Sequence, residues 1–504
     1  MEDIGYLTHS GFIVPVSVMR AKFKNNWAAF LKKLTITHQR TIGPPLRAIM
    51  YKFATYNGIN TIILPRTLIG ILLKSGILSC VEVLFAPARV IDAKLTIDLY
   101  ENQQLIVEHL CGHVFTEARI QAGTATAILN LRAGMGKTLI GGGIIAHLKM
   151  RTLYIVPKRP LMLQAAKDLR AAFYGEDSIS VGVYGKSTRD PTTVVANQDV
   201  TCIVINSALM CDAAFFAGYS IVILDEVHSY CSEQRREIFR KCATHVVLGM
   251  TATSEDRGDG FDPIAHKELA FDGIIRAEEV PGFTYGDVLF DCHARIINYC
   301  GPPEHTLNLT HEATGRVFTH YMHNQFIGDP YRLQLAVSEL IRLYDWTGAD
   351  AQHYIYVFAE EIEILRCAKT AFAEALLARA RDDVVADMDI PECGLEMFTG
   401  GLRDEKIVDI TNSARVLFST YSYAGTGISI QKMSAILFLT PRKANMKQIL
   451  ARILRRGSDI TIPRIVVDIV DKKTVLKYQV MTRKMAYEHY GFECAESQVK
   501  YTDV

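Results

Sequence analysis

Along most of the chain, short and almost unbroken apolar runs alternate with longer stretches of helical spacing. The runs TATAILNL (124–131), TLYIVP (152–157), CIVIN (202–206), SIVIL (220–224) and HVVLG (245–249) are nearly all apolar or β-branched. A strand with no polar face must be covered on both sides, as in a parallel sheet between layers of helix. Between these runs lie stretches such as RPLMLQAAKDLRAAF (159–173), whose apolar positions recur at helical intervals. Repeated β–α units predict a doubly wound α/β domain. Residues 290–330, rich in Pro, Gly, His and Asn, break the rhythm and read as a crossover. The rhythm returns with YIYVF (354–358), a helix around 361–380, RVLFST (415–420), AILFL (435–439) and RIVVDIV (464–470). This predicts a second α/β domain. The expected boundaries are an accessory domain over 1–95, a first α/β domain over 96–290, a crossover over 291–330, a second α/β domain over 331–475 and a tail over 476–504.

Composition narrows the class. Hydrophobic residues make up 49% of the 504 and charged residues 22%, enough for real cores and unlike a disordered chain. The eleven cysteines contain no C-x-x-C pair, so neither a zinc site nor a redox dithiol is signalled, and a reducing compartment suits them. The beginning of the chain lacks a secretory apolar region, and stretches such as TIILPRTLIGILL are broken by Pro and Arg, so no membrane span is expected.

Net charge is only +1, but its distribution is uneven. From Ile4 to Val81 there is no Asp or Glu, while Arg20, Lys22, Lys24, Lys32, Lys33, Arg40, Arg47, Lys52, Arg66 and Lys74 all fall there. Such a segment carries a field that attracts phosphate. The plainer alternatives are a solvated face balanced by acids elsewhere, or a cationic targeting segment. The length of the stretch and its apolar runs argue against the latter.

The sharpest local signal is Ala133-Gly134-Met135-Gly136-Lys137-Thr138, placed between a strand and the helical run LIGGGIIAHL. Glycines let backbone N–H groups close on phosphates, and a helix N-terminus adds a favourable dipole. Lys137 is placed to reach the β- and γ-phosphates and Thr138 to hold Mg²⁺. The full pattern has Gly at 131, where this chain has Leu131. About ninety residues on, the run Ile221–Leu224 ends in Asp225-Glu226-Val227-His228. Acids at the carboxyl end of a central parallel strand face the ligand crevice. Asp225 is assigned to Mg²⁺ and Glu226 to the attacking water. A chance glycine turn and a solvated acidic turn are the bland alternatives, and their order in one βα series argues against both. Gly141-Gly142-Gly143, each costing about 1 kcal/mol in a helix against Ala, points to close helix–sheet packing. His320 and His323 lack a third ligand nearby and read as surface or packing residues.

In this order the residues resemble the superfamily 2 helicases, over about 99–470. Leu99 with Asn102-Gln103-Gln104 resembles the segment whose Gln reads the adenine edge, here Gln103. Leu131–Thr138 resembles motif I, Tyr154–Pro157 motif Ia on the nucleic-acid backbone, Asp225–His228 motif II in its DEVH form, and Thr251-Ala252-Thr253 motif III. LGMTATSEDRGDG (248–260) is similar to the XPB-like, double-stranded-DNA translocase branch. Met397–Gly401 falls at motif IVa. Phe418–Thr420 through Gly425-Thr426-Gly427-Ile428-Ser429 resembles motif V, with Ser429 where many relatives carry an acid. Gln448–Arg455 resembles motif VI, with Ala451 replacing Gly. Residues 420–470 are closer still to the helicases of large double-stranded DNA viruses, notably the asfarvirus helicase and the poxvirus transcript-release helicase. The first ninety-five residues match no motif.

The resemblance implies two tandem RecA-like doubly wound parallel-sheet domains with an N-terminal accessory domain. It implies ATP and Mg²⁺ as cofactors, nucleotide contacts at Ala133–Thr138 and Gly427, and coupling through His228, Thr251, Thr253 and Gln448. Arg452 and Arg455, three apart, would share a helix face and offer planar guanidinium groups to the γ-phosphate from the facing domain. That would make hydrolysis depend on cleft closure. A solvated basic helix face is the plain alternative. The expected partner is nucleic acid, DNA in the first instance, with RNA polymerase or replication proteins as further partners and no membrane. The expected setting is intracellular, in a host cell (virus factory, nucleus or virion), in viral transcription, replication or repair. An RNA helicase and a transcript-release ATPase without strand separation are the rivals.

Overall fold

The protein, described here as a computed structural model, is defined over residues 3–38, 45–132, 134–175, 179–185, 198–252, 262–285, 290–310, 315, 317–348, 351–382, 394–399, 402, 404–421, 430–442, 445–455 and 457–504. It forms two units, Met1–Gly286 and Asp287–Val504. Among the described residues no helix is long and apolar enough to cross a membrane.

The first unit opens with strands β1 (Ile4–Thr8) and β2 (Gly11–Pro15), a hairpin of β3 (Thr35–His38) and β4 (Leu46–Ile49), then β5 (Lys52–Tyr56), β6 (Ile59–Leu64) and β7 (Cys80–Val83). Five of these make a sheet in the order β5-β6-β2-β1-β7. Leu7, Phe12, Val14, Met19, Leu34, Ile62 and Leu72 bury beneath it, in a cluster that continues into the following α/β sheet through Ile128, Val222, Leu224 and Val247. The boundary near residue 95 is therefore a change of sheet and not a break in the core. Arg66, counted by sequence among the cations able to attract phosphate, is buried instead. Its Nη1 donates to the Thr244 carbonyl at 2.6 Å, Nη2 to His245 at 3.1 Å and Nε to Gly123. Burial lowers the guanidinium to about 9. These carbonyls precede two strands of the next sheet, so the accessory sheet docks at its amino edge.

That next sheet contains β8 (Thr126–Asn130), β9 (Thr152–Val156), β10 (Val181–Tyr184), β11 (Val200–Val204), β12 (Ile221–Asp225), β13 (Val246–Thr251) and β14 (Ile274–Arg276). Their order is β10-β11-β9-β12-β13-β8-β14, with every pairing parallel. Ile221 and Ile223 enter one core cluster and Val222 and Leu224 the other. Covering both faces is why these strands read as unbroken apolar runs. The helix Arg159–Ala172 carries Pro160 in its first turn, where its fixed φ fits, and buries Met162, Ala165, Ala166, Leu169 and Ala172.

The second unit has β15 (Cys292–Cys300), a short ladder of β16 (Thr347–Gly348) and β17 (Ala351–Gln352), then β18 (Tyr354–Ala359), β19 (Leu395–Phe398), β20 (Val416–Thr420), β21 (Met433–Phe438), β22 (Arg464–Asp471) and β23 (Glu493–Lys500). The main sheet runs β19-β20-β18-β21-β22-β15-β23, again all parallel. Two expectations are corrected here. The segment read as a crossover, 291–330, begins with a nine-residue strand lying between β22 and β23. Its polar residues disguised it. Arg295 makes a two-pronged pair with Glu339, at 2.7 and 3.1 Å, and Asn298 donates to Glu496 at 3.2 Å. The segment 476–504, read as a tail, supplies the helix Val480–His489 and the edge strand β23. Arg483 is fully buried, with Nε 2.7 Å from Asp468 Oδ2, and the Tyr487 hydroxyl donates to the same carboxylate at 2.9 Å.

Candidate functional site

The site lies at the carboxyl edge of the first unit's seven-stranded sheet. After β8 the chain passes Leu131, which is fully buried in the core. The absent glycine at that position is thus absorbed by packing. Gly134 and Gly136 take φ of 86° and 77°, a region costly for residues with a Cβ. The helix Lys137–Leu148 follows at once. A Cβ on Gly136 would lie 2.4 Å from Gln103 Nε2. Gln103 is buried, accepts from the Tyr100 N–H at 3.1 Å and donates to the Met135 carbonyl at 3.0 Å. The side chain expected to read adenine also props the glycine loop from behind. Ala133 falls outside the described residues.

The three consecutive glycines each face a different neighbour. A Cβ on Gly141 would sit 3.3 Å from Tyr154 and Ile223 of the sheet, on Gly142 3.4 Å from Leu169, and on Gly143 2.7 Å from Val107. The helix is therefore packed on three sides, tighter than a helix with side chains there would allow. This fixes where its first residues point.

Lys137 extends to the acids that end β12. Its Nζ is 2.5 Å from Glu226 Oε1 and 3.9 Å from Asp225 Oδ1. Burial alone would lower the ammonium pKa, but the two carboxylates outweigh it and raise it. Burial pushes the Asp225 carboxyl up to about 6, against the opposing pull of Lys137. Glu226 adopts φ 51°, an uncommon conformation for a residue with a side chain. The turn is braced by its own N–H donating to Asp225 Oδ1 at 3.0 Å. The buried Tyr230 hydroxyl also donates to the Asp225 carbonyl at 2.7 Å. His228 Nδ1 stands 2.7 Å from Thr251 Oγ1 and 3.4 Å from Glu226 Oε2. Lys137, Glu226, His228 and Thr251 therefore form a continuous chain from the glycine loop to the end of β13. Thr253 lies outside the described residues.

This arrangement can take a polyphosphate. The glycine loop and helix start offer N–H groups, and Lys137 offers an ammonium held between Asp225 and Glu226. A phosphate competing for Lys137 would release Glu226. The Thr138 hydroxyl and Asp225 carboxylate are hard oxygen donors of the kind Mg²⁺ takes beside phosphate oxygens. Among the described residues no group of three or more His, Cys, Asp or Glu could hold a metal by itself. A metal shared with phosphate fits that donor set.

In the second unit, Gln448 and Arg452 are buried and Arg455 is half-buried. The expectation that Arg452 and Arg455 share a helix face is corrected. The helix Met446–Leu450 ends before both of them. Beyond its end, Arg464 Nε donates to the Ile453 carbonyl at 2.5 Å. Its Nη2 holds Ser458 Oγ and the Asp459 carbonyl, each at 2.9 Å. Gly427 and the rest of 422–429 fall outside the described residues, as do Gly400 and Gly401. His323 is buried with its ring 6.0 Å from Phe326, a packing residue.

Sequence reasoning missed Tyr230 and Arg464. Tyr230 sits two residues beyond His228, and a tyrosine just after a buried acidic turn is the available signal. Nothing in the local pattern marks Arg464, whose partners are gathered by the fold.

The family model described as "Type III restriction enzyme, res subunit" matches residues 96–256. A protein of African swine fever virus, "Putative ATP-dependent RNA helicase QP509L", is 30% identical over 97% of this chain and 93% of its own length. The "ATP-dependent DNA helicase RecG" of Staphylococcus aureus is 32% identical over 128 residues, 24% of this chain and 18% of that protein. Among solved structures, the "ATP-dependent Type ISP restriction-modification enzyme LlaBIII bound to DNA" is similar with a TM-score of 0.52 at 15% identity. It covers 80% of this chain and 31% of that one. That likeness bears on the fold alone, and it agrees with two tandem RecA-like domains.

Proposed function

Because the chain belongs to the superfamily 2 helicases and hydrolyses ATP as they do, we propose that it is a motor coupling ATP hydrolysis to movement along, or unwinding of, DNA. The observation that carries this reading is the chain Lys137–Glu226–His228–Thr251. It joins the loop that takes the phosphates to the strand end resembling the segment that couples the ATP and nucleic-acid sites.

In this reading Lys137 turns from Glu226 to the β- and γ-phosphates as ATP arrives. Glu226, released, orients the attacking water. Thr138 and Asp225 would hold Mg²⁺, which would supply charge neutralisation to the phosphate oxygens. Gln103 keeps Met135 and Gly136 in the conformation the phosphates need. Arg452 and Arg455 supply positive charge to the γ-phosphate as it leaves. His228 and Thr251 report the state of Glu226 to the end of β13.

DNA is favoured by the resemblance of 248–260 to the double-stranded-DNA translocase branch. The African swine fever virus relatives are named as RNA helicases, and RNA is the second reading. ATPase assays with single-stranded DNA, duplex DNA and RNA, followed by strand displacement, test both. Strongest stimulation by DNA is expected. Stimulation by RNA alone would replace DNA with RNA, and stimulation without strand displacement would leave a translocase or a transcript-release ATPase. No stimulation by any of them would end the motor reading.

A further inference from the structure

The fold sorts the cations of the acid-free segment. Arg66 is consumed in docking the accessory sheet. Lys22 pairs with Asp3 at 2.5 Å and Lys52 approaches Glu237 at 3.9 Å. Lys24, Lys32, Lys33 and Arg47 are exposed and make no ion pair among the described residues. Lys32 and Lys33 end the helix Trp27–Lys33, and the chain passes directly into the β3–β4 hairpin, where Arg47 stands opposite Thr37. Lys267, on the exposed side of the helix Asp262–Leu269, donates to the Lys33 carbonyl at 2.9 Å. Lys267 is thus held beside the end of the helix that carries Lys32 and Lys33. Their mount is rigid, because Phe23 stacks on Phe30 at 4.4 Å and Trp27 on Phe30 at 5.8 Å, packed against the core.

The patch also has a definite position. Arg66 and His9 bind carbonyls at 123 and 243–245, just before β8 and β13, and Thr67 binds the Lys267 carbonyl. The accessory sheet and its cations therefore sit at the amino edge of the first α/β sheet. Lys137, Asp225 and Glu226 lie at the carboxyl edge. A five-residue strand separates the two edges by roughly 17 Å, so these lysines cannot serve the bound nucleotide.

Resting on the reading of the chain as a nucleic-acid motor, we infer that Lys24, Lys32, Lys33 and Lys267 form a second polyanion surface. It holds the phosphate backbone of nucleic acid outside the motor's own track. Lysines act as point charges without a planar fork, and among the described residues these make no ion pair, so the contact is to backbone and independent of sequence.

The test uses the full chain with Lys24→Glu, Lys32→Glu and Lys33→Glu combined, and a second version with Gln at the same positions in case the reversed one folds poorly. Binding to duplex DNA of several sequences, and to RNA, is followed by fluorescence anisotropy across salt concentrations. Affinity should drop alike for every sequence, and the slope of log K against log salt should flatten by about 0.9 per lost contact on duplex DNA. ATPase without nucleic acid should be unchanged. A variant with unaltered affinity and slope overturns the proposal. So does one that binds nucleic acid normally but no longer retains an acidic protein partner that the wild type retains. If the wild type binds neither DNA nor RNA, the motor reading falls first and this surface with it.

Discussion

Lys137 and Glu226 hold each other at 2.5 Å in a largely buried setting, so neither can be altered without exposing the other. Lys137→Ala should abolish ATP hydrolysis in a protein that still folds, because Glu226 and Asp225 lose their counter-charge and the phosphates lose their ammonium. Turnover measured with a circular-dichroism check on folding tests this, and wild-type turnover in a folded variant would remove the phosphate-loop assignment. Glu226→Gln keeps size and hydrogen bonding but not charge. ATP should still bind while turnover drops by roughly 10²–10⁴, the usual range for a positioned base. Loss of binding with unchanged turnover per bound ATP would give Glu226 another role. At this scale the sequence was legible in grouping Gly136, Lys137 and Asp225, which the structure brings together. It was less legible for Gln103. The contact with Gly136 joins two segments that only folding brings together, and the sequence shows neither the 3.0 Å bond to Met135 nor the space the missing Cβ leaves.

At the scale of elements, the parallel strands declared themselves because burial on both faces leaves no polar position. β15 hid because Glu339 and Glu496 satisfy its Arg and Asn, and β23 because an edge strand tolerates charge. The Arg452–Arg455 spacing suggested a helix, but the helix stops at Leu450, before either arginine. The junction between the accessory sheet and the α/β sheet holds its own prediction. Glu268 is buried there, and burial raises its carboxyl from 4.5 to about 7, with Arg240 opposing. A carboxyl raised in the folded state binds more protons than in the unfolded chain. Its contribution is therefore fully present below about 4.5 and lost as pH rises through about 7. The difference amounts to at most about 3 kcal/mol. Glu268→Gln should melt at a higher temperature than wild type at pH 8 and at nearly the same temperature at pH 5. Equal melting temperatures at both values would show that Glu268 is not taken out of water.

Across the whole molecule, the residues proposed to act on the nucleotide fall in both units, Lys137, Asp225 and Glu226 in the first and Arg452 and Arg455 in the second. If Arg455 acts on the transition state, Arg455→Ala should lower kcat by roughly 10³–10⁵ with little change in ATP affinity. Lys at that position should rescue poorly, and nucleic acid should bind without stimulating hydrolysis. Full stimulation in Arg455→Ala would give the second unit a different part. The order of strands in that unit bears on how the protein is made. β15 is the first strand of its sheet to leave the ribosome, yet its two neighbours are β22 and β23, the last two. Throughout the synthesis of everything between, a strand carrying Ile296, Ile297 and Tyr299 waits with both edges unpaired. With chains growing at about 5–20 residues per second, that wait lasts on the order of ten seconds or more. Nascent chains halted before Arg464 should therefore recruit chaperones and be cleaved readily within 292–300, whereas chains extended past Lys500 should resist.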